Sequence, residues 1–310
     1  MKDIEEVKAG IRGPVYPIIP AFHENGVLDL DSVKDYVKYL NSFDVCALMV
    51  TAGTSRFNLL TDGEIKSLNE AVVEANQDKA LTILANPMTG STDRAIEYAL
   101  HAQEVGGDCM LLYYPERYYD DESIFNYFKD VADNSDIGLM LHGIPMRNAY
   151  TGVSPKSNYS LKLCERLCSL DNFVGMKEES GSEAHRDKLA SNLADRMVFV
   201  VAGASMRMYL SSMHFGVQAY LVGVGSFKPE IEEEFYRYVK AGEFGKSFQI
   251  VKKYEEPFFD VAFPMGWHVA MREGLRQLEL TPGIERPPLK QANNKEVDAI
   301  NQIFKSFGWI

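Results

Sequence analysis

No apolar run in this chain approaches the length needed to cross a bilayer. The opening Met1-Lys2-Asp3-Ile4-Glu5-Glu6 also lacks an apolar signal core. Both absences predict a cytoplasmic protein with no membrane partner. Basic residues are in deficit: 32 Lys and Arg stand against 44 Asp and Glu, a formal charge of −12. That excludes nucleic acid and anionic membrane as main partners, since each requires a basic footprint. It leaves room for a small anionic ligand in a locally positive pocket. Cysteine is sparse, at Cys46, Cys109, Cys164 and Cys168, and neither the spacing nor any accompanying histidine fits a zinc knuckle. Buried, reduced thiols and no metal centre are the expectation. What remains is ordinary for a globular protein: 46% hydrophobic and 25% charged residues in a chain of 310. That length suits one large α/β domain or two smaller ones.

Short apolar runs alternate with amphipathic stretches. The runs at 15–19, 46–51, 81–85, 110–114, 137–141, 173–176, 198–202 and 219–222 read as strands. The segments between them repeat with a period near 3.6, as at 29–42 with Leu30, Val33, Val37 and Leu40. Thr61-Asp62-Gly63-Glu64 has the form of a capping box opening one such helix. Repeated strand–helix units imply a parallel sheet covered by helices, and eight of them match the count of a closed (β/α)8 TIM barrel. The competing architecture is a doubly wound open sheet. Against it, Ile18-Ile19-Pro20-Ala21-Phe22 supplies no Gly-rich dinucleotide fingerprint after the first strand. The barrel is assigned to residues 1–241. Beyond it the pattern is wholly helical, at 246–260, 267–280 and 294–307, so 242–310 is predicted to be a C-terminal helical appendage.

In such a barrel the reactive groups collect where strands end. Lys177 closes Phe173-Val174-Gly175-Met176. Desolvation disfavours an ammonium ion and favours a nucleophilic amine that attacks a carbonyl carbon. The competing reading is a lysine snorkelling to the surface from an edge strand. His142, in His142-Gly143-Ile144-Pro145-Met146-Arg147, is a candidate general acid–base group, although a lone histidine is more often structural. The turn Thr51-Ala52-Gly53-Thr54-Ser55-Arg56 offers amides and hydroxyls to a carboxylate, or is an ordinary connecting loop. Tyr113, Tyr114, Tyr118 and Tyr119 follow the fourth run; phenols relay protons but also pack. Ala202-Gly203-Ala204 and Gly223-Val224-Gly225 end the last two runs with small residues that leave space for a ligand. Cys164 and Cys168 are placed on a covering helix facing the barrel, and His101, His185, His214 and His268 receive no role.

These residues resemble the dihydrodipicolinate synthase / N-acetylneuraminate lyase superfamily of class I aldolases. The likeness runs from about residue 13 to residue 289. Ile19-Pro20-Ala21-Phe22 with Asn25-Gly26 is similar to the family's TPF…DG opening, and Val174-Gly175-Met176-Lys177-Glu178-Glu179-Ser180-Gly181 to its VGIKEASG. Gly223-Val224-Gly225-Ser226 and Arg286-Pro287-Pro288-Leu289 carry the likeness onward. The resemblance implies a barrel with a C-terminal helical domain, assembled as a homo-oligomer, a tetramer or dimer. It implies a Schiff base between Lys177 and the ketone of pyruvate or another 2-oxo acid. The protonated imine is then an electron sink, so that a C3 carbanion forms as an enamine, adds to or is released from an aldehyde, or expels a hydroxyl. No metal or organic cofactor is expected, because the imine on Lys177 supplies the electrophile. The substrate carboxylate would rest at Thr54 and Ser55, with Gly203 and Gly223 leaving space. Arg147 matches the arginine that the family uses at the mouth of the site. Tyr114, Tyr118 or Tyr119 would stand in for a phenol lent to a neighbouring subunit, Tyr114 being the one assigned.

Two departures bear on the reaction. The family's strand-five motif, YNVPSR or YNxP, begins with a proton-carrying tyrosine; here the position is His142. An imidazole titrates near neutrality and a phenol near 10. The family's GTTGE or GSTGE turn becomes Ala52-Gly53-Thr54-Ser55-Arg56. Arg56 meets a more anionic substrate tail, turns to solvent, or pairs with a structural acid. The expectation is a lyase acting on a 2-oxo acid by aldol condensation, cleavage or dehydration. The competing class is a non-catalytic member that binds a 2-oxo acid or serves as a scaffold.

Overall fold

Eight apolar segments pair edge to edge with no free end: β1 (Gly13–Pro17), β2 (Ala47–Val50), β3 (Leu81–Ala85), β4 (Cys109–Leu112), β6 (Gly138–Gly143), β8 (Phe173–Glu178), β9 (Val198–Val201) and β10 (Ala219–Leu221). They form a closed barrel in the order β1-β10-β9-β8-β6-β4-β3-β2, parallel at every join. Two further short strands, β5 (Arg117–Tyr118) and β7 (Arg147–Asn148), pair with each other in the loops that follow β4 and β6. The computed structural model describes residues 2–87, 90–115, 117–148, 156–203 and 205–310, so Ala204 of the expected ligand-facing turn lies outside the described residues. The (β/α)8 barrel with a helical C-terminal region is therefore the architecture.

Both faces of the strands are buried, which is why they read as unbroken apolar runs rather than alternating ones. Val15, Met49, Ile83, Leu111, Met140 and Val200 fill the barrel, while Tyr16, Leu48, Leu84, Met110, Leu139 and Phe199 pack outward against the helices. An unanticipated helix, Ile4–Gly10, starts at an Asp3 capping box. Val7 and Ile11 beside it join the interior cluster and close the N-terminal mouth. The Thr61–Glu64 capping box forms as expected at the head of Asp62–Asn76.

Two strands run longer than the apolar runs suggested. β6 and β8 each include their polar ends, so His142 and Lys177 lie within the ladder, paired in register. The pairing shifts between Leu139 and Met140. On the other side, a Cβ at Gly175 would stand 2.1 Å from the Val198 carbonyl oxygen, so glycine is what lets β8 and β9 approach there.

After Pro229–Lys240 the chain is helical: Phe244–Ile250, a π-helical segment Val251–Glu255, Glu256–Met265, Trp267–Gln277 and Asn294–Phe307. Buried and half-buried acids and an arginine tie this region to the barrel. Glu255 accepts from Ser205 Oγ and Arg207 N, both at 3.1 Å, at the head of Met206–Ser212. Arg286 donates to Glu64 at 2.6 and 2.8 Å, to the Leu59 carbonyl at 2.9 Å and to the Gly26 carbonyl at 2.5 Å. The first and last of the motifs singled out in the sequence thus meet at one guanidinium, and they act as staples. Among the described residues no helix is long and apolar enough to cross a membrane.

Candidate active site

Residues that are register partners on adjacent parallel strands point to the same side of the sheet. His142 and Lys177 are such partners, and both side chains are buried inside the C-terminal end of the barrel. Lys177 Nζ lies 2.8 Å from His142 Nε2. Two residues further along, Glu179 returns to the same side, and its Oε2 is 2.5 Å from Lys177 Nζ and 2.7 Å from His142 Nε2. The three polar atoms close a triangle. A lysine only 4% exposed requires such partners, because an unpaired buried charge is strongly disfavoured. Lys177 does not snorkel to the surface.

Burial pushes the His142 imidazole down to about 4, helped by the Lys177 ammonium and opposed by Glu179. His142 is therefore neutral at pH 7 and available to accept a proton. For Glu179, burial works against the charge, but the Lys177 ammonium and the His142 contact overcome it and hold the carboxyl far below its usual range. Its side chain is nevertheless 44% exposed, so one edge of the triangle is open to solvent. His142 Nδ1 is buried and, among the described residues, has no hydrogen-bond partner, so Nε2 is the nitrogen that meets Lys177 and Glu179.

The strand geometry separates the tyrosines. Tyr113 follows β4 on the inward side and packs edge-on against His142, ring centroids 4.4 Å apart and planes at 81°. Its hydroxyl is buried and, among the described residues, has no side-chain partner. Burial, then the Glu179 charge, pushes that phenol well above its usual range. Tyr114 points outward and packs on Tyr127 at 5.2 Å, in the layer between barrel and helices. The structure does not bring Tyr114 to Lys177, because one residue of strand separates opposite faces. Tyr118 donates to Asp121 at 3.3 Å and Tyr119 is exposed.

The turn after β2 is built on left-handed backbone at Thr51 and Arg56, with φ of 57° and 56°. A β-branched residue rarely adopts such a φ. Thr51 Oγ1 accepts from Ala85 N at 3.1 Å and lies 3.0 Å from the Ala85 carbonyl, holding β2 to β3. The buried Ser55 hydroxyl donates to the Ile18 carbonyl. Thr54 is half-buried. Arg56 does not reach toward the site at all: it is fully buried on Glu285. Arg147 lies in β7, paired with Arg117 of β5, and is exposed. Gly203, with φ of 94°, lines a cavity of about 310 Å³ together with Glu178, Glu179, Ser182, Arg186 and Met208. Gly223 is buried ahead of the turn Val224–Ser226. Among the described residues no group of three His, Cys, Asp or Glu side chains is placed to hold a metal ion. All four cysteines are free, and Cys164 is buried in the layer between helix and barrel. Glu179 was missed. The signal for it was the Lys177-Glu178-Glu179 spacing, since residues two apart at a strand end share a face.

The site therefore presents a lysine buried at the C-terminal end of a barrel strand, with an imidazole and a carboxylate in contact. The chain belongs to the dihydrodipicolinate synthetase family, whose model matches residues 11–307. It is 30% identical over 195 residues to a 4-hydroxy-tetrahydrodipicolinate synthase of Methanothrix thermoacetophila, covering 62% of each chain. It is 25% identical over 297 residues to a probable 5-dehydro-4-deoxyglucarate dehydratase of a Chelativorans species, covering 94% of each. The structure of a chloride-inhibited dihydrodipicolinate synthase from Acinetobacter baumannii, solved with pyruvate, superposes with a TM-score of 0.83 at 20% identity, over 97% of this chain and 100% of that one.

Proposed function

We propose that this protein forms an imine between Lys177 and the ketone of a 2-oxo acid, and uses it to add, release or dehydrate at C3. The contact of Lys177 Nζ with His142 Nε2, 2.8 Å inside the barrel mouth, carries the reading. The amine attacks C2, water leaves, and the protonated imine withdraws electrons from C3. The neutral His142 imidazole stands where it can take a C3 proton, giving the enamine, and can return it in the reverse direction. The imine is the electrophile, so the chemistry requires no metal or organic cofactor. Arg147 and the Thr54 turn are the candidates for gripping the carboxylate.

Pyruvate is the first 2-oxo acid to test, supported by its presence in the Acinetobacter structure. The dehydratase likeness extends over nearly the whole of both chains, which supports a longer 2-oxo sugar acid equally. An aldehyde is the second partner if the reaction is a condensation or cleavage. Assembly as a homo-oligomer in the cytoplasm belongs to the same reading. The relatives named as synthase and dehydratase favour an enzyme over a binding scaffold. The test is incubation with pyruvate, or with a 4-deoxy-5-oxo sugar acid, in sodium borohydride, followed by peptide mass spectrometry. A reduced adduct on Lys177 is the expected result. No adduct with any 2-oxo acid would overturn it.

A further inference from the structure

Glu179 is the one member of the Lys177 triangle that the resemblance does not account for. The family motif set beside residues 174–181 has alanine at its position. Here the carboxylate leaves the strand, turns back, and places one oxygen on both the lysine nitrogen and the imidazole, at 2.5 and 2.7 Å. The neighbouring Glu178 faces the other way and accepts from Ser180 N at 2.9 Å, so the two acids do different things. Where the family places a phenol to carry protons, this chain has an imidazole and a carboxylate in contact.

We propose that Glu179 is a catalytic acid–base group of the imine-forming step, an assignment that rests on the imine reading above. The reactive form is the minor neutral tautomer of the ion pair, in which one ammonium proton has passed to the carboxylate, leaving a free amine and a neutral carboxyl. The amine lone pair forms the C–N bond to the substrate C2, and the carbonyl π pair moves to oxygen. A proton passes from nitrogen to that oxygen, giving the carbinolamine. The Glu179 carboxyl then protonates the hydroxyl as the C–O bond breaks, water departs, and the nitrogen lone pair closes the C=N bond. The ammonium's three hydrogens end as one on the iminium and two in water. The carboxylate is restored beside the iminium cation, where it serves as counter-charge while His142 handles the C3 proton. The exposed edge of Glu179 gives the water an exit.

The experiment is the time course of borohydride-trapped adduct on Lys177 with pyruvate, or with whichever 2-oxo acid the wild type traps, in wild type, Glu179→Ala and the isosteric Glu179→Gln. General acid–base participation predicts trapping slowed by about 10²–10⁴-fold in both variants. Added sodium formate should restore a substantial part of the rate in Glu179→Ala, which a packing role would not allow. Trapping at the wild-type rate in either variant, or slowed trapping that formate leaves unchanged, overturns the proposal. A wild type that gives no adduct with any 2-oxo acid overturns the parent reading instead.

Discussion

Arg56 Nη2 donates to Glu285 Oε2 at 2.7 Å, across 229 residues of chain, with both side chains almost wholly out of solvent. The same guanidinium reaches the His268 carbonyl at 3.0 Å and the Thr54 carbonyl, and Arg272 approaches Glu285 from the other side at 3.5 Å. The turn that flanks the barrel mouth is thereby fastened to the C-terminal helices. The glutamate that ends the family's turn is replaced here by residues that serve this fastening.

Removing one partner of such a buried pair leaves the other charge uncompensated. Arg56→Ala should therefore destabilise the protein by about 3–5 kcal/mol, read from urea unfolding. The double change Arg56→Ala with Glu285→Ala should cost less than the sum of the two single changes. A double loss equal to that sum would mean that the pair makes no coupled contribution.

His142→Ala should lower turnover on the order of 10²–10⁴-fold, measured with the 2-oxo acid that labels Lys177. The adduct itself should still form in this variant, because Glu179 keeps its contact with the lysine. Unchanged turnover would remove His142 from the chemistry.

Tyr113→Phe and Tyr114→Phe distinguish the inward from the outward phenol. A hydrogen bond given by the Tyr113 hydroxyl to a bound substrate would be worth about 1 kcal/mol, or about fivefold in rate. Its loss should be seen in kcat for Tyr113→Phe, while Tyr114→Phe should retain full turnover. The opposite ranking would contradict the placement of the two rings.

Glu232 supplies a pH signature away from the site. It is buried and accepts from the Tyr220 hydroxyl at 2.7 Å. Burial, with a contribution from Glu255, pushes its carboxyl up to about 8. Between 4.5 and 8 the native state holds a proton that the unfolded chain has released. Its stabilising effect is therefore fully present below pH 4.5 and is lost as pH rises through 8. Glu232→Gln should lose less stability than wild type between pH 5 and 9, by on the order of a few kcal/mol, in melts across that range. Parallel curves would show that Glu232 is ionised in the native protein.

Much of this was legible in the chain. Every barrel strand lies within a predicted apolar run or overlaps it closely, because a strand buried on both faces must be apolar throughout. Lys177 and His142 stood out because polar residues at the ends of such runs have few structural excuses. Strand ends were less legible: β6 and β8 continue through their polar termini because the partner strand, not hydrophobicity, sets where pairing stops. Which of Tyr113 and Tyr114 faces inward was illegible for a related reason, since a shift of one residue exchanges the two faces and nothing local fixes the frame.

By itself, then, the sequence determined the barrel, the helical C-terminal region, and the lysine and histidine at the strand ends, since periodicity and burial are properties of short stretches of chain. Only the tertiary structure decided that Glu179 turns back onto both of them, that Tyr113 and not Tyr114 faces inward, and that Arg56 is spent on Glu285. Each of those depends on distance and direction between groups on different elements. A charge or a phenol carries no record in the sequence of the partner that folding brings within 3 Å.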